Sequence, residues 1–106
     1  LYPLNEFDLV VEPSAGSGNI LQYLPDGSIG LDLDPQADNI KKQDFFEYES
    51  PYDPLFNPIR VATIGNPPFG SGYMNPLATG FFNHAAKFSE VIAFLKDLNN
   101  LIQRKI

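Results

Sequence analysis

Asn66-Pro67-Pro68-Phe69 is the stretch whose residue types come closest to dictating a chemistry, and it follows the short apolar run Arg60-Val61-Ala62-Thr63-Ile64, which reads as a buried strand. A nitrogen attached to a conjugated system is a poor nucleophile because its lone pair is delocalised. A pair of acceptors aimed at the hydrogens of such an NH2 group draws the lone pair out of conjugation and stabilises the positive charge that develops as the nitrogen is alkylated. The Asn66 side-chain oxygen can serve as one acceptor and the Pro67 carbonyl as the other. The prolines fix φ and bias Asn66 and Pro67 toward extended backbone, holding that carbonyl in place. Phe69 can stack on a planar substrate, which for a base inside a duplex means flipping it out. A plain proline turn at a strand end is the competing reading, and it leaves the flanking Asn and Phe unexplained.

Other polar clusters stand at other turns. Glu12-Pro13-Ser14-Ala15-Gly16-Ser17-Gly18 is a glycine-rich turn whose backbone can approach a ligand closely and whose following helix start offers N–H groups to an anion. A dinucleotide fingerprint would place a third glycine at position 21, where Leu21 stands, so NAD is disfavoured. The Lys and Ser/Thr of a phosphate-binding P-loop are also absent. In Gly30-Leu31-Asp32-Leu33-Asp34-Pro35, Asp34 before proline suits a helix N-cap. Asp32 carries no such duty and is the better partner for the hydroxyls of a ribose. Asp44-Phe45 could hold an adenine, the carboxylate accepting from an exocyclic amine and the ring packing on the base; a solvent-facing Asp beside core phenylalanines is the plainer alternative. His84, between Phe82 and Phe88, reads as surface or helix packing rather than a general base. Tyr73 and Asn75 are candidates for a substrate lid, and Tyr2, Leu4 and Phe7 could flank a pocket. No His/Cys cluster suggests a metal.

The elements that must position these residues alternate. Strands are expected at 8–12, 28–33, 60–64 and 89–95, with a short third strand or a strand end at Gln43-Asp44-Phe45-Phe46. Helical patterns are expected at 19–24, from Asp34-Pro35, at 77–88 and at 96–106, with an irregular proline-containing loop at 47–58. Alternation of this kind predicts one α/β domain over residues 1–106 with a doubly wound, mainly parallel sheet. The passage from Leu95 to Lys96 without a turn residue predicts missing intervening sequence or a domain incomplete at its C-terminus, and Leu1 in place of Met predicts a preceding segment.

Composition narrows the function classes. The 106 residues are 43% hydrophobic with nine Phe, enough for a core, and no run approaches the roughly 18 apolar residues of a membrane span. The absence of cysteine excludes a disulfide framework and thiolate metal sites, and it fits an intracellular, cytoplasmic protein. A net charge of −6 repels phosphate backbones, so a nucleic-acid partner would need a basic footprint supplied by another region or subunit.

Taken in order, Glu12 to Gly18, Asp32 to Pro35, Asp44-Phe45 and Asn66 to Phe69 resemble the S-adenosylmethionine-dependent amino-methyltransferases, specifically the N6-adenine DNA methyltransferases whose cofactor motif precedes an Asn-Pro-Pro-aromatic motif. The resemblance spans residues 8–95, and its specificity lies in the combined order and spacing. It implies a Rossmann-like class I methyltransferase fold and S-adenosylmethionine as cofactor. By this resemblance Glu12, Ser14 and Gly16 surround the methionine portion, Asp32 binds the ribose, Leu33 lies beside the adenine, and Asp44 and Phe45 contact it. Asn66 and Pro67 match the acceptors for the target amine, with Pro68 completing the motif and Phe69 the stacking residue; Asn66 also borders the cofactor. The expected activity is methyl transfer to adenine N6 in DNA, as one part of a restriction-modification protein whose recognition region lies elsewhere. An RNA adenine, a glutamine N5 amide in a protein, and a noncatalytic scaffold with the cofactor fold are the alternatives. The family's antiparallel hairpin beyond the fifth strand is not visible in the sequence.

Overall fold

The computed structural model describes residues 3–50, 59–66, 76–95 and 101–105, with backbone alone at 95 and 101–105. Pro67, Pro68, Phe69, Tyr2, Tyr73, Asn75, the 51–58 part of the loop and the junction after Leu95 lie outside the described residues. The described strands are β1 (Leu9–Glu12), β2 (Ile29–Asp32), β3 (Ile40–Lys42), β4 (Val61–Gly65), β5 (Val91–Leu95) and β6 (Leu101–Lys105), and helix α1 is Pro76–Ala86. They form one six-stranded sheet in the order β3-β2-β1-β4-β5-β6. β1 to β5 are parallel, and β6 pairs antiparallel with β5, Phe94 opposite Ile102. The chain is an α/β protein.

Parallel strands must be covered on both faces, which is why these runs are apolar throughout. On one face Val11, Leu31, Val61, Ile92 and Phe94 pack with Phe45, Tyr48, Phe81 and Ala85. Ala78, Phe81 and Ala85 recur at helical spacing and form the buried stripe of α1. On the other face Val10, Ala62 and Val91 meet Phe7, with Leu4 and Leu24 against them. The buried Thr63 and Ser89 hydroxyls satisfy each other at 2.6 Å. Among the described residues no helix is long and apolar enough to cross a membrane.

Several expectations are corrected. The 96–106 stretch is not a helix over 101–105 but strand β6. Its helical spacing is overridden because the outer edge of β5 would otherwise leave a row of unpaired backbone groups. The third strand lies at Ile40–Lys42, before Gln43, and Phe45–Glu47 is a 3-10 turn because the Asp44 side chain accepts from Phe46 N–H at 2.9 Å and starts it. Residues 19–24 make turns and one 3-10 turn, Leu21–Tyr23, instead of a regular helix. Asp34-Pro35 opens no helix: the Asp32 carboxylate takes the Asp34 N–H at 2.8 Å, an Asx-type turn that leaves Asp34 without the cap role expected of it. Among the described residues α1 is the α-helix of the fold, so both sheet faces are covered but one of them mainly by short turns.

The tight fit that a third glycine would have provided at position 21 is reached from the opposite side. A Cβ placed on Gly30 of β2 would lie 2.7 Å from Leu21 Cδ2 and 3.2 Å from Ala15 Cβ. Gly30→Val is therefore expected to lower the unfolding free energy by about 1–3 kcal/mol, read from urea midpoints; an unchanged midpoint would show that Leu21 and Ala15 yield without cost.

Candidate functional site

The chain runs outward from β1 through β2 to β3, then returns to start β4 on the other side of β1. Such a reversal opens a crevice at the carboxyl ends of the strands on either side of it. Here those ends are Glu12, leading into Pro13 and Ser14, and Gly65, leading into Asn66. A cleft of about 530 Å³ lies at this edge of the sheet.

Its polar wall is prearranged by the backbone. Asp32 at the end of β2 accepts from Gly16 N–H at 2.8 Å through Oδ2 and from Asp34 N–H through Oδ1, so it clamps the glycine turn to the neighbouring strand. Asp32 therefore carries a structural role in addition to the ligand role expected of it. Each carboxylate oxygen still has a second lone pair for a ligand hydroxyl. Gln36 N–H donates to the Gly16 carbonyl at 2.9 Å and Ala15 N–H to Leu31 at 2.8 Å, completing the brace. The Ser14 hydroxyl donates to the Asn66 carbonyl at 3.2 Å, linking the turn after β1 to the residue after β4.

Ser14, Asp32, Leu33, Asp44, Phe45 and Asn66, all singled out from the sequence, come together in the lining of this cleft. Phe45 does so from the core side, only 1% exposed, with its ring 4.9 Å from His84 and 5.3 Å from Phe81. His84 serves packing: its Nε2–H donates to the Tyr48 carbonyl at 2.9 Å. Gly16 is not in the lining, and its N–H is spent on Asp32.

Glu12, which precedes the lining residue Pro13, is itself not in the lining. Its side chain is 1% exposed and Oε1 has no hydrogen-bond partner. Burial, opposed by the Leu21 N–H and reinforced by the Asp32 charge, pushes its pKa up to about 7. Gly65 leaves room for it: a Cβ there would sit 3.2 Å from Glu12 Cγ and 3.1 Å from Pro13 Cδ.

Sequence reasoning missed Gln43, Phe46, Leu77 and Phe81, which also line the cleft. Leu33, Phe46 and Leu77 are 68%, 41% and 46% exposed, so large apolar side chains stand open around this cavity. Exposure of an apolar residue has no sequence signal; for Gln43 its adjacency to Asp44 was the available hint. Among the described lining residues there are carboxylates but no basic side chain. The arrangement suits a flat, partly apolar ligand that bears hydroxyls and is neutral or cationic, and it disfavours a phosphate. No protein-family model, curated protein or solved structure matches the chain.

Proposed function

We propose that this chain is the catalytic domain of an S-adenosylmethionine-dependent amino-methyltransferase acting on adenine N6 in DNA. The observation that carries the reading is the meeting of Asp32, Asp44 and Asn66, from the ends of β2, β3 and β4, around one apolar-walled cleft with no basic side chain among its described lining residues. The residues fit the cofactor chemically. Asp32 offers lone pairs to ribose hydroxyls, Asp44 an acceptor to the adenine amine, and Leu33, Phe46 and Leu77 apolar surface to the base, while the acidic lining favours a sulfonium over a polyphosphate. The strand order and the antiparallel β6 beside β5 also support a Rossmann-like methyltransferase fold.

When bound, S-adenosylmethionine supplies an electrophilic methyl group on sulfur, so the target amine gains an N–C bond as the C–S bond breaks, and its surplus proton goes to water. The chain's own part is positioning. Asn66, just past β4 and tied to Ser14 through its carbonyl, presents its side-chain oxygen to the NH2 group, and the Pro67 carbonyl is the second acceptor. Phe69 stacks on the extruded base. The net charge of −6 assigns the phosphate contacts to another region or subunit, and it favours, as a second reading of the substrate, a glutamine amide in a protein.

Calorimetry with S-adenosylhomocysteine is expected to show binding at one site, and its absence would overturn the enzyme reading. Methyl transfer from labelled cofactor to DNA, RNA and protein pools is expected to label DNA; labelled protein beside unlabelled DNA would replace the substrate.

A further inference from the structure

Resting on the cofactor reading above, we infer that Gly80 is a positioning residue of the cleft: because it has no side chain, the Phe46 ring lies in a notch of α1 and forms a fixed wall for the flat base of the ligand. Glycine is, after proline, the least favourable residue for a helix interior, and Gly80 lies inside the eleven-residue α1. The structure shows what the glycine makes room for. A Cβ placed on it would lie 3.2 Å from both Cε1 and Cζ of Phe46. Non-bonded carbons prefer about 3.5–4.0 Å, so an alanine would have to push the ring away.

The surroundings decide where the ring can go. Its backbone is pinned, the Phe46 N–H donating to Asp44 Oδ1 at 2.9 Å. Against the ring stand Phe81, which it meets edge-on at 5.0 Å and 80°, and Phe45, at 6.4 Å; both are buried in the core and do not yield. Leu77, Gly80, Phe81 and His84 share one face of α1, and the Phe46 ring also lies 5.9 Å from that of His84. Phe46 itself is exposed and lines the cleft together with Asp44, Leu77 and Phe81. It also lines a second cavity of about 370 Å³, and it is the one described residue common to the two linings. With open space beside it and packed rings against it, the ring owes its place to the Gly80 notch and not to confinement. Displacing it changes the width between the ring and the Asp44 carboxylate, the two groups to which the base is assigned.

The test is a cycle between residues 80 and 46. S-adenosylhomocysteine and adenosine are titrated calorimetrically into the wild type, Gly80→Ala, Phe46→Leu and the double variant. Gly80→Ala is expected to weaken both ligands by about 10-fold, since a wall of the cleft has moved. In the Phe46→Leu background, where no ring meets the new methyl group, it is expected to weaken them by less than about 2-fold. The urea midpoint of ligand-free Gly80→Ala should be no lower than that of the wild type, because alanine favours the helix and the ring yields toward open space. Loss of affinity beside unreduced stability is what a purely structural role would not produce. Unchanged affinity in Gly80→Ala, an equal loss in both backgrounds, a loss confined to S-adenosylhomocysteine, or a reduced midpoint overturns the role of Gly80 while leaving cofactor binding by the wild type intact. Failure of the wild type to bind S-adenosylhomocysteine overturns the cofactor reading, and this inference with it.

Discussion

Asn66→Ala is expected to lower methyl transfer by about 100-fold or more while S-adenosylhomocysteine binding changes little, because it removes an acceptor needed where charge develops on the nitrogen. Asn66 is exposed just beyond β4, so truncating it opens no core cavity. Its backbone carbonyl, which accepts from Ser14, is kept in the variant. Asn66→Asp retains an acceptor oxygen and should keep more activity than Asn66→Ala. Single-turnover rates beside calorimetric affinities distinguish the possibilities. Unimpaired turnover in Asn66→Ala would remove the residue from the reaction, and a matched loss of affinity and rate would make it a binding residue only.

The other large effect is on stability, and it arises from Glu12. The folded chain holds the Glu12 proton up to about pH 7, whereas the ordinary carboxyl value is 4.5. The folded state therefore binds the proton more tightly than the unfolded state. The associated stability is full below about pH 4.5, declines as pH rises, and is lost above about 7, for a total of at most about 3 kcal/mol. The cause is the burial of a carboxylate with an unpartnered oxygen, which favours the neutral form. Glu12→Gln, neutral at every pH and of similar shape, should flatten the decline. At about pH 8 it should unfold at higher urea than the wild type by the same at most about 3 kcal/mol. Urea midpoints across this range check it, and a wild-type slope that survives the substitution would assign the titration to another group.

Much of the architecture was readable in advance. The apolar runs at 8–12, 28–33, 60–64 and 89–95 correspond to β1, β2, β4 and β5, and the 77–88 pattern to α1. These elements have strong local signals: β-branched or aliphatic runs bounded by Gly, Pro and Asp, and a helical stripe of Ala78, Phe81 and Ala85. The failures occurred where local signals were weak or had competitors. Asp44 and Phe45 looked like strand residues, yet the Asp44 carboxylate caps Phe46 N–H and bends the chain into a 3-10 turn. Asp34-Pro35 looked like a helix start, yet the carboxylate that captures the local N–H belongs to Asp32.

By itself the sequence determined that polar residues stand at the ends of apolar strands, with glycine and proline turns behind them, because strand periodicity and turn chemistry act over a few residues. It therefore carried Asp32, Asp44 and Asn66 as a set without requiring their contacts to be known. Tertiary structure alone decided that these residues share one cleft, since that follows from the crossover that puts β4 beside β1. It also decided that 101–105 is a strand, because β5 had an edge to pair, and that the Glu12 carboxyl is buried. Gln43 and the exposed Phe46 and Leu77 belong to the same class. Burial, exposure and an unpaired oxygen are properties of a residue's neighbours, and in this fold those neighbours come from distant parts of the chain.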